Sequence, residues 1–277
     1  QIPFVEQRFP GQIVKNAVFA TSYISFGLDM APFDNINVRK AFQYAINRDE
    51  MTATVLKDLA IPGKSLLPPG YPGYNDVITS QAVFDPEKAK KFMADAGYPG
   101  GEGFPEVEIW YRDQGGYNGA ITAPMLQYLQ AQFKDILGIT MNIKILPQKD
   151  WMAGMLEKKN NLFLAPYEYD YLDPSNFYGP ILGCSGAVDG GWNWSKFCDP
   201  AIDAEATAAD SMIDPAAPER MKMWSDVYMK VMEQAPWVPV FNEQRYTMKS
   251  ARMGGADNLY VDPVSIPVNY DYVYVKE

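Results

Sequence analysis

Three carboxylates stand close together in the stretch "YEYDYLDPSNFYG", which covers residues 167–179. If the segment that ends here is extended, Glu168 and Asp170 share one face and lie about 6.5–7 Å apart along the strand. Two like charges at that distance raise each other's cost of ionisation unless a cation or a hydrogen-bond donor is nearby. The pair is therefore a candidate for recognising a cationic group. Asp173, directly before Pro174, is predicted to cap a short helix.

Two other kinds of site use carboxylates at such spacings. An inverting glycoside hydrolase needs carboxyl groups about 6.5–9.5 Å apart, but neighbours on one strand do not readily flank a scissile bond from opposite sides. A calcium site at Glu168, Asp170 and Asp173 has suitable oxygen ligands, although their spacing does not match an EF-hand loop. The chain has no histidine and no G-x-S-x-G or HExxH motif. We therefore do not predict an enzyme, and we expect no metal site and no cofactor.

The two cysteines, Cys184 and Cys198, bracket the glycine-rich segment "CSGAVDGGWNWSKFC". We predict a disulfide that closes this segment as a surface loop and contributes about 3 kcal/mol by loop entropy. Two unconnected reduced thiols are the alternative. Two cysteines without any histidine argue against a zinc site. A disulfide implies an oxidising compartment outside the cytoplasm.

The 277-residue chain is acidic and rich in aromatic residues. Its formal net charge of −10 argues against nucleic acid as a partner, because phosphate binding relies on Lys and Arg. No apolar stretch reaches the roughly 18 residues needed to cross a bilayer. Aromatic residues make up 14% of the chain, as ligand-stacking surfaces or as large core fillers. The sequence starts at Gln1 with the pattern of the middle of a fold, and we expect a processed or truncated chain.

Helix and strand patterns alternate through the middle of the chain, which predicts an α/β domain. The clearest helix has Asp85 as N-cap, Pro86 in its first turn and Gly97 at its end. Asn35 or Asn37 is predicted to cap an earlier helix. Further helices are predicted over 48–60, 124–137, 200–211 and 216–234, and strands over 17–29, 106–112, 139–146, 161–170, 237–241, 246–250 and 270–275.

Four strings occur in a fixed order along the chain: "NVRKAFQYAINRDEM" (37–51), "FDPEKAKKFMADAGYPGGEGFPEVEI" (84–109), "DYLDPSNF" (170–177) and "NWSKFCDPAID" (193–203). This set resembles the extracytoplasmic solute-binding proteins of peptide-type ABC importers, the family that includes oligopeptide, dipeptide and nickel binders. The resemblance covers essentially all of this sequence but only the C-terminal half of a typical member.

The resemblance implies an α/β, periplasmic-binding-protein-like (type II) fold, in which a mixed sheet flanked by helices forms each lobe of a two-lobed clamp. Residues 33–235 would form the C-terminal ligand-binding lobe. Residues 1–32 would be a strand segment of the N-terminal lobe, and residues 236–277 its return strands. Lobe closure buries a peptide, or alternatively an oligosaccharide, and presents a new surface to the transmembrane subunits of the permease. A periplasmic or cell-surface location, secreted or lipid-anchored, follows from the same resemblance.

The site residues also follow from the resemblance. Asp170 matches the first Asp of a D-x-x-D/E-P motif, which in the peptide-binding members pairs with the α-amino group of the peptide. Anchoring of a neighbouring backbone is its alternative role. Tyr167 and Trp151 lie where the family places aromatic walls, with a core position as the alternative for each. Phe241 and Asn242 end the strand that returns to the cleft, and we add them as ligand-binding candidates.

Overall fold

The chain is described by a computed structural model over residues 2–57, 59–113, 116–255, 259–262, 266–268 and 270–277. These described residues form one six-stranded sheet and two short two-stranded ribbons, β7 with β10 and β8 with β9. The strands are β1 (Ile13–Phe26), β2 (Ala60–Pro62), β3 (Val107–Arg112), β4 (Met141–Leu146), β5 (Leu162–Glu168), β6 (Trp237–Met248), β7 (Met253–Gly254), β8 (Leu259–Asp262), β9 (Ile266–Val268) and β10 (Tyr274–Val275).

Helices connect most of these strands. They are α1 (Ile2–Arg8), α2 (Ile36–Tyr44), α3 (Arg48–Glu50), α4 (Pro86–Asp95), α5 (Gly116–Leu137), α6 (Gln148–Leu156), α7 (Pro174–Tyr178), α8 (Pro200–Asp210) and α9 (Pro218–Gln234). A π-helical turn follows α3 over Met51–Val55, and 3-10 turns cover Asp76–Ala82, Pro99–Gly101, Cys184–Gly186 and Tyr270–Tyr272. Within the described residues, every helix falls short of the length or the apolar character that a membrane crossing requires.

The six-stranded sheet is mixed, with strand order β2-β6-β1-β5-β3-β4. β3 is parallel to both β4 and β5. The helix α5 joins β3 to β4, as a connection between parallel strands usually requires. β1 is antiparallel to β5 on one side and to β6 on the other. The predicted α/β class, with a mixed sheet flanked by helices, is confirmed.

Alternating side chains of β1 supply two hydrophobic cores, one on each face of the sheet. Ile24 and Phe26 lie in the core that α2, α4 and α5 cover, whereas Tyr23 lies in the core that α6 to α9 cover. The ring of Tyr23 stacks on Trp237 of β6 with centroids 3.5 Å apart. Because both faces are covered over residues 20–26, this part of β1 is internal and can carry apolar residues at successive positions.

Two helices start at the predicted caps. The side chain of Asp85 accepts a hydrogen bond from the backbone N–H of Lys88 at 2.9 Å, and α4 begins at Pro86. The side chain of Asn35 accepts from the backbone N–H of Asn37 at 2.9 Å at the start of α2. These contacts join residues two or three positions apart, so the sequence alone reveals them.

The helix predicted over 48–60 is wrong in its second half. The helical turns end at Val55, and Ala60 opens β2, where it pairs with Glu243 of β6. Pairing with the exposed edge of β6 satisfies backbone groups that a longer helix would have bonded internally. Because β2 pairs with residues of β6 that are far away in the sequence, the residues around Ala60 do not by themselves indicate a strand.

Two strand predictions near the C-terminus are also wrong. The strands predicted over 237–241 and 246–250 are one continuous strand, β6, because it stays paired with β1 along its length. The strand predicted over 270–275 is reduced to Tyr274–Val275, which follows a 3-10 turn. Long-range pairing, rather than local propensity, decides the extent of each strand.

The division into lobes at residues 32/33 and 235/236 stays a prediction. Two strands, β1 and β6, lie outside these boundaries but pair within the six-stranded sheet. Residues 20–26 of β1 pair with β5, and residues 237–242 of β6 pair with β1 in the same sheet. These parts therefore belong to the body built by residues 33–235. Residues 13–17 of β1 pair with residues 244–248 of β6, beyond the reach of β5.

The predicted disulfide between Cys184 and Cys198 is present, with Cα atoms 4.5 Å apart. Inside the loop that it closes, the buried side chain of Asn193 donates to the carbonyl of Gly183 at 3.1 Å and to that of Phe197 at 2.7 Å. The loop is therefore held both by the covalent bridge and by a buried amide.

Replacing both cysteines by serine (C184S/C198S) is expected to lower the free energy of unfolding by about 3 kcal/mol, because the unfolded chain regains the entropy of an open loop. Urea unfolding of the variant beside the wild type measures this change. A reductant should move the wild-type curve onto that of the variant and leave the variant unchanged. Coincident curves for oxidised wild type and variant would contradict the expectation.

Candidate functional site

The candidate site lies where β5 ends and α7 begins. β5 pairs with the parallel strand β3 at Phe163 and ends at Glu168. Open α/β sheets bind ligands at the carboxyl ends of their strands. Tyr169 is buried, and Asp170 after it is exposed. The carboxylate of Asp170 is thus presented on the surface directly after a buried strand.

One oxygen of the Asp170 carboxylate is held by neutral groups. The hydroxyl of Tyr167 lies 3.3 Å from Oδ2, and the amide Nδ2 of Asn176 lies 3.4 Å from it. The backbone N–H of Asp170 donates to Oδ1 of the buried Asn176 at 3.0 Å. Asn176 therefore orients both the main chain and the carboxylate. Within the described part of the chain, Asp170 forms no ion pair, which leaves its charge available to a ligand.

The hydroxyl of Tyr167 stays protonated at neutral pH. Burial, followed by the negative charge of Asp170, raises the pKa of Tyr167 above its usual value. The hydroxyl also lies 3.1 Å from the carbonyl oxygen of Asn176, and the ring packs edge-on against Phe177 with centroids 5.0 Å apart. Tyr167 is thus a fixed, neutral donor that supports the carboxylate without cancelling its charge.

A second tyrosine fixes the loop between β5 and α7. Tyr71 is buried, and its hydroxyl lies 2.7 Å from the carbonyl oxygen of Tyr171 and 3.0 Å from that of Asp173. Its ring contacts those of Tyr169 and Phe177 edge-on. Burial raises the pKa of the Tyr71 hydroxyl, which therefore remains a donor. The single hydroxyl proton of Tyr71 is shared between these two loop carbonyls, which lie outside regular secondary structure.

Asp173 caps α7, as predicted, and also forms an ion pair that the sequence did not reveal. Its Oδ1 accepts from the backbone N–H of Ser175 at 2.9 Å. Arg220 of α9 donates to its two carboxylate oxygens at 2.7 and 3.0 Å. The side chain of Arg220 is 4% exposed and that of Asp173 is 20% exposed, so this bidentate pair lies mostly out of water. It ties α9 to the start of α7.

The pKa of Asp173 is lowered from its ordinary value. Burial by itself opposes ionisation, but the hydrogen bonds from Arg220 and Ser175 outweigh that effect. The ordinary pKa of this carboxyl, which also holds in the unfolded chain, is 3.8. Because the pKa is lower in the folded state, the ionised carboxylate stabilises the fold at pH values above that ordinary pKa. This contribution is lost as the pH falls through the folded value.

Two of the predicted ligand-binding residues lie in the hydrophobic cores. Trp151 is 2% exposed, and its ring contacts those of Phe163 and Trp194. Phe241 is also 2% exposed and lies in the core on the other face of the sheet. A ligand contact for Trp151 or Phe241 stays a prediction, and their burial lends it no support.

Asn242 lies on the same face of the sheet as Tyr167. Both residues pair with Thr21 of β1, so their Cα atoms are about 10 Å apart, or two strand spacings. Nδ2 of Asn242 donates to the carbonyl of Ala20 at 3.0 Å and to Oγ1 of Thr21 at 2.9 Å. Asn242 borders a cavity of about 190 Å³, which is also lined by Ile61, Pro62, Lys64, Ser65, Pro69 and Tyr74. Its contact with ligand stays a prediction.

Glu168 and Asp170 have different neighbours. Glu168 lies 3.7 Å from Arg245 of β6, whereas Asp170 contacts Tyr167 and Asn176. The hypothesis of a glycoside hydrolase pair therefore finds no support in this arrangement. In the described ranges, no three His, Cys, Asp or Glu side chains gather as a group that could hold a metal ion.

Replacing Arg220 by Met is expected to lower the free energy of unfolding by about 2–4 kcal/mol at pH 7, because Asp173 keeps a partly buried charge without its partner. Urea unfolding at pH 7 and at pH 3 measures the effect. The difference from the wild type should narrow as the pH falls below about 4, where Asp173 is increasingly protonated.

Lys222→Met is the matched control on the same helix. Lys222 pairs with Asp226, and both side chains are at least half exposed, so its loss is expected to cost about 0.5 kcal/mol or less. The role assigned to the Arg220 pair would be contradicted if the two variants lowered the free energy of unfolding equally. It would also be contradicted if the effect of Arg220→Met were the same at pH 7 and pH 3.

Curated proteins of known name are similar to the chain over most of its length. Heme-binding protein A of Haemophilus influenzae is 29% identical over 263 residues, which covers 95% of this chain and 45% of that protein. The dipeptide-binding protein of Escherichia coli is 26% identical over 215 residues, which covers 77% of this chain and 38% of that protein. The chain thus spans less than half the length of these relatives.

Solved structures share the fold. HbpA2 from Haemophilus parasuis superposes with a TM-score of 0.83 at 22% identity, over 100% of this chain and 52% of that one. A dipeptide binding protein from Pseudoalteromonas sp. SM9913, in complex with Met-Leu, superposes with a TM-score of 0.77 at 26% identity, over 92% and 49% of the two chains. The predicted periplasmic-binding-protein-like (type II) fold is confirmed.

The family model of bacterial extracellular solute-binding proteins, family 5 Middle, matches residues 2–189. This match covers more than half of the chain. It includes the loop that carries Asp170 and three of the four strings that suggested the resemblance. The chain therefore belongs to the bacterial extracellular solute-binding proteins of family 5.

Proposed function

We propose that the chain is the C-terminal part of the solute-binding component of an ABC importer, which captures a peptide between two lobes and delivers it to a membrane permease. Family membership supports the importer role. One relative is named as a dipeptide-binding protein, whereas another is named for heme. The ligand class therefore has to be argued from the site itself.

The exposed carboxylate of Asp170 is the observation that carries the peptide proposal. Its Oδ2 is held by the neutral groups of Tyr167 and Asn176, and it has no ion-pair partner among the residues described. An α-ammonium group offers a full positive charge and three N–H donors, and a charge-assisted hydrogen bond of this kind contributes about 1.5–3 kcal/mol. Every free peptide N-terminus carries that group. The contact therefore selects peptides as a class without choosing among their sequences.

Exposed apolar side chains flank this charged anchor. Tyr171 and Leu172, in the loop that carries Asp170, are 52% and 57% exposed. A peptide side chain would cover such surface, and the flat tyrosine ring would also suit a sugar. An oligosaccharide, however, has no positive charge to place against Asp170. The charge therefore favours the peptide over the oligosaccharide.

Capture between lobes requires a second wall. In our proposal the N-terminal lobe supplies it and joins this chain through β1 and β6, and transmembrane permease subunits receive the closed form. The disulfide between Cys184 and Cys198 fits an oxidising, extracytoplasmic compartment. Periplasmic, secreted and lipid-anchored forms of the protein are all compatible with that compartment.

Native mass spectrometry of the complete protein, purified gently, is the first test, followed by release and identification of whatever it carries. Short peptides would support the proposal. A ladder of sugar units or the mass of heme would overturn the peptide ligand and keep the importer role. Protein that is empty, and that also fails to bind peptides in titration, would overturn the peptide proposal.

Asp170→Asn in the complete protein is expected to weaken binding of a dipeptide with a free N-terminus about tenfold to hundredfold, because the amide keeps the shape but loses the charge. Isothermal titration calorimetry measures the affinity. The N-acetylated dipeptide should bind the wild type about as weakly as the free dipeptide binds the variant.

Glu168→Gln is the matched control for this variant, because it removes an exposed carboxylate two residues away that lies beside Arg245. Its affinity is expected to equal that of the wild type. If Asp170→Asn also binds like the wild type, Asp170 does not pair with the peptide amine.

A further inference from the structure

The strand β1 contains a bulge beside the candidate site. Its pairing with β6 is in register at Ala17 and again at Thr21. Between these positions, residues 18–20 of β1, here called the β1 bulge, lie opposite the single residue Glu243 of β6. Bulges recur next to functional sites, where they redirect side chains or interrupt the pairing of two strands. Because β5 pairs with β1 from residue 20 onward, the bulge lies where the chain leaves β5 and enters the loop with Asp170.

The buried side chain of Asn242 fastens the β1 bulge from the β6 side. Oγ1 of Thr21 donates its proton to the carbonyl of Leu66 at 3.1 Å, so it is an acceptor for Nδ2 of Asn242 at 2.9 Å. The same Nδ2 donates to the carbonyl of Ala20 at 3.0 Å. Ala20 is one of the residues that the bulge leaves without a backbone partner in β6. The amide side chain therefore replaces backbone pairing that the bulge interrupts.

Phe19, in the middle of the β1 bulge, holds the chain just before Asp170. Its carbonyl accepts from the backbone N–H of Tyr169 at 3.3 Å, which extends the pairing of β1 with β5 beyond the end of β5. Its ring meets those of Tyr71 and Tyr169 edge-on, with centroids 5.4 and 5.5 Å away. The rings of Tyr71 and Tyr169 also contact each other, at 5.7 Å. Three mutually packed rings thus fix the residue that precedes the carboxylate.

These contacts form a continuous connection from β6 to the candidate amine site. Asn242 bonds Ala20, the neighbouring Phe19 bonds Tyr169, and Asp170 follows Tyr169 in the chain. A carboxylate on an irregular loop binds an amine most tightly when the loop is already ordered, because ordering it during binding costs free energy. The connection therefore bears on ligand affinity without including a ligand contact of its own.

We propose that Asn242 and Phe19 are positioning residues for ligand binding. They fix the β1 bulge, and the bulge fixes Tyr169 and with it the carboxylate of Asp170. This inference rests on the proposed function, in which Asp170 pairs with the amine of the ligand. It gives Asn242 a role that requires no contact with the ligand, because both of its N–H groups are used within the sheet.

Asn242→Leu and Phe19→Leu in the complete protein test the proposal. Isothermal titration calorimetry measures the affinity for a dipeptide with a free N-terminus and for its N-acetylated form. The ratio of the two affinities reports the contact between Asp170 and the amine, and each variant is expected to lower it about threefold to tenfold. A variant that only reduces the amount of folded protein would leave the ratio unchanged. Phe19→Leu decides the test if Asn242→Leu does not fold.

Asn193→Leu and Phe104→Leu are the matched controls. Asn193 is another buried amide that donates to two backbone carbonyls. Phe104 is another partly buried ring with two aromatic neighbours, at 5.1 and 6.5 Å. Both controls are expected to keep the wild-type ratio. An unchanged ratio in Asn242→Leu and Phe19→Leu would overturn the proposal, and so would controls that lower the ratio equally.

Hydrogen exchange of the Tyr169 amide separates this proposal from the peptide proposal, because it needs no ligand. This amide donates to the carbonyl of Phe19. In Asn242→Leu and Phe19→Leu its exchange is expected to be at least about tenfold faster, relative to the amides of residues 163–165 in β5. The two controls should leave that relative rate unchanged. Unchanged exchange in both test variants would overturn the positioning role, whereas a wild type without preference for the free amine would overturn only the amine contact of Asp170.

Discussion

The hydrogen-bonded pairing of β1 with both β5 and β6 is the constraint on which the rest of the structure depends. A strand covered on both faces has little access to water, so its neighbours must satisfy its backbone groups. Because β6 comes near the end of the chain and β1 near its start, the chain has to return across the finished body. The same pairing places Thr21 between Tyr167 and Asn242, and so sets the distance between these two candidate residues.

The candidate site depends on polar contacts more than on apolar packing. The loop after β5 is irregular, and its carbonyls and charges are satisfied by Tyr71, Asn176 and Arg220 rather than by a sheet or helix. A carboxylate that is already oriented in this way loses little conformational freedom when a ligand binds. Asp170 itself is oriented by Tyr167 and Asn176, which are three and six residues away. The rest of the loop is held by Tyr71 and Arg220, which are distant in sequence.

Asp173 and Asp170 differ in whether a cation lies beside the carboxylate. Asp173 is neutralised by Arg220 and serves to join α7 to α9. In the described part of the chain, the carboxylate of Asp170 has no ionic partner and contacts only the neutral groups of Tyr167 and Asn176. In our proposal, the amine of the ligand supplies that partner.

The sequence by itself determined what depends on neighbours along the chain: the caps at Asp85 and Asp173, the alternation of helices and strands, the disulfide loop and the family strings. Only the tertiary structure showed that Arg220, 47 residues from Asp173, completes the ion pair. It also placed Trp151 and Phe241 in the cores, although an aromatic residue suits a core and a ligand surface equally well. The physical reason is that capping depends on residues within one turn, whereas burial and ion pairing depend on which distant elements pack together.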